Sequence, residues 1–203
     1  RIDALDALRG LAVLGILVMN IQSFAMPVAA YLNPDAYGSL DGVNGAVWIL
    51  SHVLADQKMM ALFSMLFGAG IVLFCERAAH SGRSVAGYHY RRNFWLLIFG
   101  LLHGYLLWHG DILFLYALCA FVLFPLRNRS ARTLFKLGIL FLAVSSIFYL
   151  LTAAGLQTMS DEAIAEQIMP QWRPAAEQMT AELAAYRGGW ASQLTARIPM
   201  TQE

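Results

Sequence analysis

The chain has 203 residues, of which 59% are hydrophobic and 13% charged, with a formal net charge of +1. Soluble domains carry about 25% charged residues, so this composition, with a mean hydropathy of +0.56, excludes an ordinary soluble domain. The near-neutral balance also excludes the basic footprint of a nucleic-acid-binding protein.

The first uncharged run, residues 10–34, lies between Arg9 and Asp35. A charge at the bilayer centre costs about 2.5–3.5 kcal/mol, so the run predicts a first membrane span over residues 10–32. Val28, Ala29 and Ala30 resemble a signal-peptide cleavage site, but Asp3 and Asp6 beside Arg1 and Arg9 do not form a clean positive region, and the span is retained. Asp6 and Arg9, three apart, share a helix face and can pair. Arg9 then either anchors the span or offers its guanidinium to a cytosolic anion. Asn20 sits about ten residues into the span, near mid-membrane. A buried amide there needs a partner, either across a helix interface or as a group that polarises a substrate carbonyl.

A second span is expected over residues 58–76, after an apolar approach over 42–55. His52 and Asp56, four apart, stack on one helix face where the carboxylate can orient the imidazole, as a general base requires. An ordinary interfacial helix end has the same pattern, and Lys58 completes the cluster. Ser64 and Gly68 offer a small-residue packing face. The basic stretch over residues 77–92, with Arg77, Arg91, Arg92, His80, His89, Tyr88 and Tyr90, suits either cofactor phosphates or a topology determinant near anionic lipid.

Residues 93–126 carry one charge, Asp111, and are too long for a single crossing of about 20 residues. They predict a hairpin of spans 93–109 and 111–126, turning at His109, Gly110 and Asp111. His103, between Gly100 and Gly104, is an intramembrane histidine and therefore a site candidate. Asp111 is a second candidate, although aspartate at a glycine turn is common for structural reasons. The fifth span is expected over 134–154. Cys75 and Cys119 lie in apolar runs and read as small buried hydrophobes. No zinc spacing or glycine-rich phosphate loop is present, and no metal site is expected.

With the N-terminus inside, ten of the fourteen Lys and Arg residues fall on inner loops, the positive-inside pattern. Residues 1–158 thus read as an all-α, polytopic transmembrane bundle of about five spans. Residues 159–203 are too polar to span. Met179, Leu183, Tyr186, Trp190 and Leu194 draw one apolar stripe, and Trp172 and Trp190 suit a membrane interface. One or two amphipathic helices on the outer surface are expected, leading to further membrane helices absent from this chain.

The opening stretch through Asp6, Arg9 and Gly10 to Asn20 resembles the YeiB-type bacterial membrane proteins. So do Asp56, Gln57 and Lys58 leading into Leu62 through Gly68, Gly110 through Ala117, and Tyr186 through Trp190. That family is in turn similar to transmembrane acyltransferases of the heparan-glucosaminide N-acetyltransferase type, through Asp6, Arg9, Gly10, Asn20, Ala55, Asp56, Phe67 and Gly68. The resemblance implies an N-terminal half of a bacterial inner-membrane protein with a cytoplasmic N-terminus. It further implies acyl transfer from cytosolic acyl-CoA, as co-substrate rather than tightly bound cofactor, to a hydroxyl or amine of a sugar or lipid acceptor at the outer face. The histidine that follows the asparagine in those acyltransferases has no counterpart over residues 27–37 here. On this reading Asn20, His52, Asp56, His103 and Asp111 are the catalytic candidates, with His52 the first choice of base. Asp6, Arg9, Lys58, Arg91 and Arg92 are the candidates for holding the acyl-CoA. The alternative is a non-enzymatic transporter or partner subunit for a small or lipid-like solute. The bilayer is the expected environment, a homodimer is allowed, and no nucleic-acid partner is expected.

Overall fold

A computed structural model describes residues 2–202, and they are all-α, with no strand among them. Arg1, counted above among the inner cations, lies outside the described residues. Helix α1 (Asp3–Ala25) opens with Asp3 and Asp6 in its first turn, where acidic groups oppose the helix dipole. It ends before Pro27 rather than at residue 32, because the residue preceding a proline is driven out of the helical region. The chain then folds into a short helix α2 (Ala29–Leu32) and a 3₁₀ turn (Pro34–Ala36), whose Asp35 N–H donates to Asn33 Oδ1 at 3.2 Å.

Helices α3 (Val43–Leu54) and α4 (Lys58–His80) follow, separated by a break at Gln57, whose φ of 58° a side-chain-bearing residue adopts only rarely. The Lys58 ammonium donates to the His52 carbonyl at 3.0 Å, so it closes the C-terminal end of α3, where a cation is favoured. Helix α5 (Val85–Leu106) is capped by Ser84 Oγ, which accepts from Gly87 N–H. Helix α6 (Leu113–Leu123) follows the expected turn, with Asp111 Oδ2 accepting from Phe114 N–H at 2.8 Å. Helix α7 (Ala131–Gln157) is capped by Ser130. Such caps stabilise a helix by about 1 kcal/mol each.

Three helical segments are long and apolar enough to cross a membrane: Asp3–Ala25, Val43–His80 and Ala131–Gln157. The second contains both α3 and α4. Helix α5 is as long as α1 less one residue but carries Arg91 and Arg92, and the apolar stretch beginning with α6, Leu113–Leu126, is shorter.

Neighbours pack antiparallel. Arg9 reaches the Leu66 carbonyl while Gly15 meets the side chain of Met59; His89 reaches Ala120 while Gly100 faces the backbone at Phe114. The core lies between α4 and α6, where Ile71 and Cys75 pack on Ala120 and Phe124. Small residues permit this approach in an apolar bundle. Cys119 is the exception to the expectation of two buried thiols: it faces outward on α6, one position before buried Ala120 and hence rotated about 100° from it.

Beyond α7 come α8 (Asp161–Gln167), α9 (Met169–Trp172), α10 (Ala176–Arg187) and α11 (Trp190–Gln202). Gly188 and Gly189 divide the apolar stripe between two helices. Met179, Leu183, Tyr186 and Leu194 are half-buried, whereas Trp190 is exposed. This segment clamps onto one end of the bundle. Glu182 accepts from Val28 N–H at 2.9 Å, Asn33 donates to the Trp172 carbonyl at 2.9 Å, and Thr201 donates to the Gly104 carbonyl at 3.2 Å.

Candidate functional site

The antiparallel packing sorts the sequence candidates to two opposite ends. At the end where α1 and α5 begin and α4 finishes lies a cavity of about 330 Å³. Its charged wall is Arg9, Arg77 and Arg92, with Asp6 beside them, and its aromatic wall includes Phe67 and Phe74. Arg9 is held by Asp6 at 3.2 Å and by the Leu66 carbonyl at 3.3 Å. Gly70 makes room for this guanidinium; a methyl group there would collide with it. Arg92 lies 4.8 Å from the Phe74 ring centroid, a contact that steers a cation without neutralising it. Three guanidiniums with one nearby carboxylate make a cradle for an anion, and the guanidinium fork suits phosphate oxygens.

His89 and Asn93 form the buried floor of this cavity. The His89 Nε2–H donates to the Ala120 carbonyl at 3.1 Å, and Asn93 Nδ2 donates to the His89 carbonyl at 2.9 Å. The imidazole also stacks on Phe124 at 4.5 Å. His89 is thus a strut between α5 and α6. Asn93 was missed in the sequence; its signal is the four-residue step from His89 at the head of an apolar run.

Two cofactor candidates fall outside the cradle. Arg91 lies over the Tyr88 ring at 4.9 Å and is not part of the cavity lining. Lys58 sits at the far end of α4, occupied with the carbonyls of His52 and Asp56. Arg77, read only as part of the basic stretch, takes a place in the cradle instead.

The opposite end holds two histidine–carboxylate pairs. His103 and Asp111 meet across the α5–α6 turn at 2.9 Å, with Asp111 almost buried and His103 about one-third exposed. The carboxylate orients the imidazole: the Nδ1–H donates to Oδ1, and Nε2 is the ring nitrogen that the pair leaves unused. Because Asp111 also caps α6, the orientation of the pair is fixed by backbone. His52 and Asp56 are looser, at 3.7 Å. His52 Nδ1 bonds to the Trp48 carbonyl at 2.9 Å and its ring stacks on Trp48 at 4.0 Å. The Tyr31 hydroxyl, unforeseen in the sequence, donates to Asp56 at 3.3 Å.

Asn20 is half-buried, and it does not lie midway along the bundle. Gly15 already meets Met59 at the start of α4, and Asn20 is about 7.5 Å further on, toward the break between α3 and α4. It shares a helix face with Arg9, about three turns away. One stripe of α1 therefore carries a guanidinium at the arginine end and an amide toward the histidine end. No group of three or more potential metal ligands occurs among the described residues.

Fold and site together define a helical membrane-type bundle with an arginine cradle at one end and histidine–aspartate pairs at the other. No protein-family profile and no solved structure matches the chain. Its relatives include uncharacterized protein YeiB of Escherichia coli strain K12, 36% identical over 138 residues, covering 67% of this chain and 34% of that protein. Uncharacterized protein YxaH of Bacillus subtilis strain 168 is 36% identical over 158 residues, 75% of this chain and 39% of the relative. An uncharacterized 39.9 kDa protein of Bacillus acidopullulyticus is 32% identical over 148 residues, 73% of this chain and 40% of the relative. These relatives support a YeiB-like family. The matched stretch spans 34–40% of their length.

Proposed function

We propose that this chain is the N-terminal part of a bacterial inner-membrane acyltransferase that uses cytosolic acyl-CoA and an acceptor at the outer face. The observation that carries the reading is the cradle of Arg9, Arg77 and Arg92, placed at the end that gathers most of the cations and hence, by the positive-inside rule, in the cytosol. Five spans with the N-terminus inside follow from the same rule, α5 and α6 forming the hairpin.

In this scheme the phosphates of acyl-CoA bind the cradle and the acyl-pantetheine arm runs along the α1 stripe toward Asn20, whose amide donates to the thioester carbonyl. His103, held by Asp111, is the preferred base because its pair is closer and better fixed than His52–Asp56. Its Nε2 takes the proton of the acceptor hydroxyl or amine as the acceptor oxygen or nitrogen attacks the carbonyl carbon. Collapse of the tetrahedral adduct breaks the C–S bond, and the imidazolium returns the proton to the departing thiolate.

The test is release of free CoA thiol by the full-length protein in proteoliposomes supplied with acyl-CoA. The proposal expects release that falls by about a hundredfold or more in His103→Ala. Solute flux with no thiol release would instead establish the transporter reading.

A further inference from the structure

Arg197 is the one buried cation among the described residues, at 4% exposure. Its guanidinium donates to the Leu106 carbonyl, at the C-terminal end of α5, and Tyr186 lines the same cavity. No carboxylate of the described residues pairs with it. A buried charge without a counter-charge is costly, and this one lines a cavity of about 440 Å³. Arg187 lines the same cavity from α10, and Glu182 faces in beside it. One oxygen of Glu182 already accepts from Val28 N–H, which leaves the other for a donor. The wall toward the bundle is Trp108 and His109, and the Trp108 ring lies 6.3 Å from that of His103.

We propose that this vestibule, between α10–α11 and the turn joining α5 to α6, binds a small zwitterion whose phosphate or carboxylate pairs with Arg197 and Arg187 and whose amine donates to Glu182. The anion supplies a counter-charge that no carboxylate of the described residues gives Arg197, and two guanidiniums against one carboxylate match a group with both signs better than a plain anion. The inference rests on the acyl-transfer reading only where the bound amine is taken as the acyl acceptor, delivered beside His103. Binding itself does not depend on it.

Phosphoethanolamine is the minimal probe, and it can come free or as the headgroup of phosphatidylethanolamine. Equilibrium dialysis of the full-length protein in phosphatidylcholine nanodiscs, with labelled phosphoethanolamine, tests the site. The proposal expects saturable binding, weakened about tenfold or more in Arg187→Ala and in Arg197→Lys, since a lysine cannot serve both the Leu106 carbonyl and the ligand. Glu182→Gln should weaken phosphoethanolamine but leave inorganic phosphate unchanged. Phosphatidylethanolamine nanodiscs that abolish binding of the free probe identify the lipid headgroup as the occupant, and undiminished binding identifies the free compound. Because Arg187 is exposed, its variant keeps the test valid if Arg197 variants fail to fold. No binding to folded protein, or binding indifferent to both arginines, overturns the site, and a Glu182→Gln variant without effect overturns the amine. Acyl-CoA binding at the opposite end is a separate readout, so failure of either reading is distinguishable from failure of the other.

Discussion

Helices α6 and α7 are both strongly apolar, yet they relate to the rest of the molecule in opposite ways. In α6, Ala117 and Ala120 are entirely enclosed, against α5 and the core formed with α4. In α7 none of the 27 residues is buried, and Leu142, Leu150 and Tyr149 are each at least 70% exposed. Small residues alone do not separate the two, since α7 also holds Gly138, Ser145, Ser146 and Gly155; the partner does. Ala120 lies against Ile71 and Cys75 and takes the His89 hydrogen bond on its carbonyl, whereas a methyl group added at Gly138 or Gly155 would meet nothing, and side chains such as Leu, Ile and Phe on α7 are as compatible with lipid as with protein.

Substitutions can break that comparison or sharpen it. The largest effect is expected at Gly100, where any side chain meets the backbone of Leu113 and Phe114. Gly100→Leu should cost about 3 kcal/mol or more and lower the thermal midpoint steeply; an unchanged midpoint would mean the α5–α6 contact is not made. Next comes Asp111→Ala, which removes the α6 cap and the partner of His103 together, with an expected loss of about 1–2 kcal/mol. Asp111→Asn should restore much of the stability but not the charge beside His103, so a gap between stability and activity is expected between the two variants.

A smaller, pH-dependent effect is expected at His109, in the turn between α5 and α6. Burial and the nearby Arg197 guanidinium push its pKa below the ordinary imidazole value; Arg187, Glu182 and Tyr186 line the same cavity. The charged form is disfavoured in the folded protein, so the unfolded chain binds the proton more tightly. The stability this neutral imidazole permits is full above about pH 6.5 and is lost as pH falls below it. Thermal midpoints measured from about pH 7.5 down to about pH 5.5 should decline, and His109→Gln should flatten part of that slope. The smallest effect is expected on α7, where Leu142→Ala should change stability by no more than about 0.5 kcal/mol. A larger loss in the full-length protein would show that α7 packs on further helices there.

Much of this was legible in the sequence because the signals are local. The α5–α6 turn follows from Gly110 and Asp111, and the His52–Asp56 pair from a four-residue step, whereas the break at Pro27 falls inside the span expected over residues 10–32. The arginine cradle was legible in part: Arg9 and Arg92 reach it, whereas Arg91, one residue and about 100° away on the helix, does not. What sequence could not show depends on contacts between distant segments. His103 and Asp111 were each identified as candidates, but their pairing requires the geometry of the turn. Asn20 lies toward the histidine end because α1 extends past the start of α4, a register that no hydropathy plot contains. Arg197, in a segment polar enough to look superficial, is buried because it reaches the Leu106 carbonyl at the end of α5.

The central claim is that the arginine end holds the phosphates of acyl-CoA, and calorimetric titration of acyl-CoA into the full-length protein in nanodiscs tests it most directly. The account predicts saturable binding that weakens about tenfold or more in Arg9→Ala and in Arg92→Ala, with Lys58→Ala and Arg91→Ala close to wild type. No binding to folded protein, or equal binding by all four variants, would contradict it.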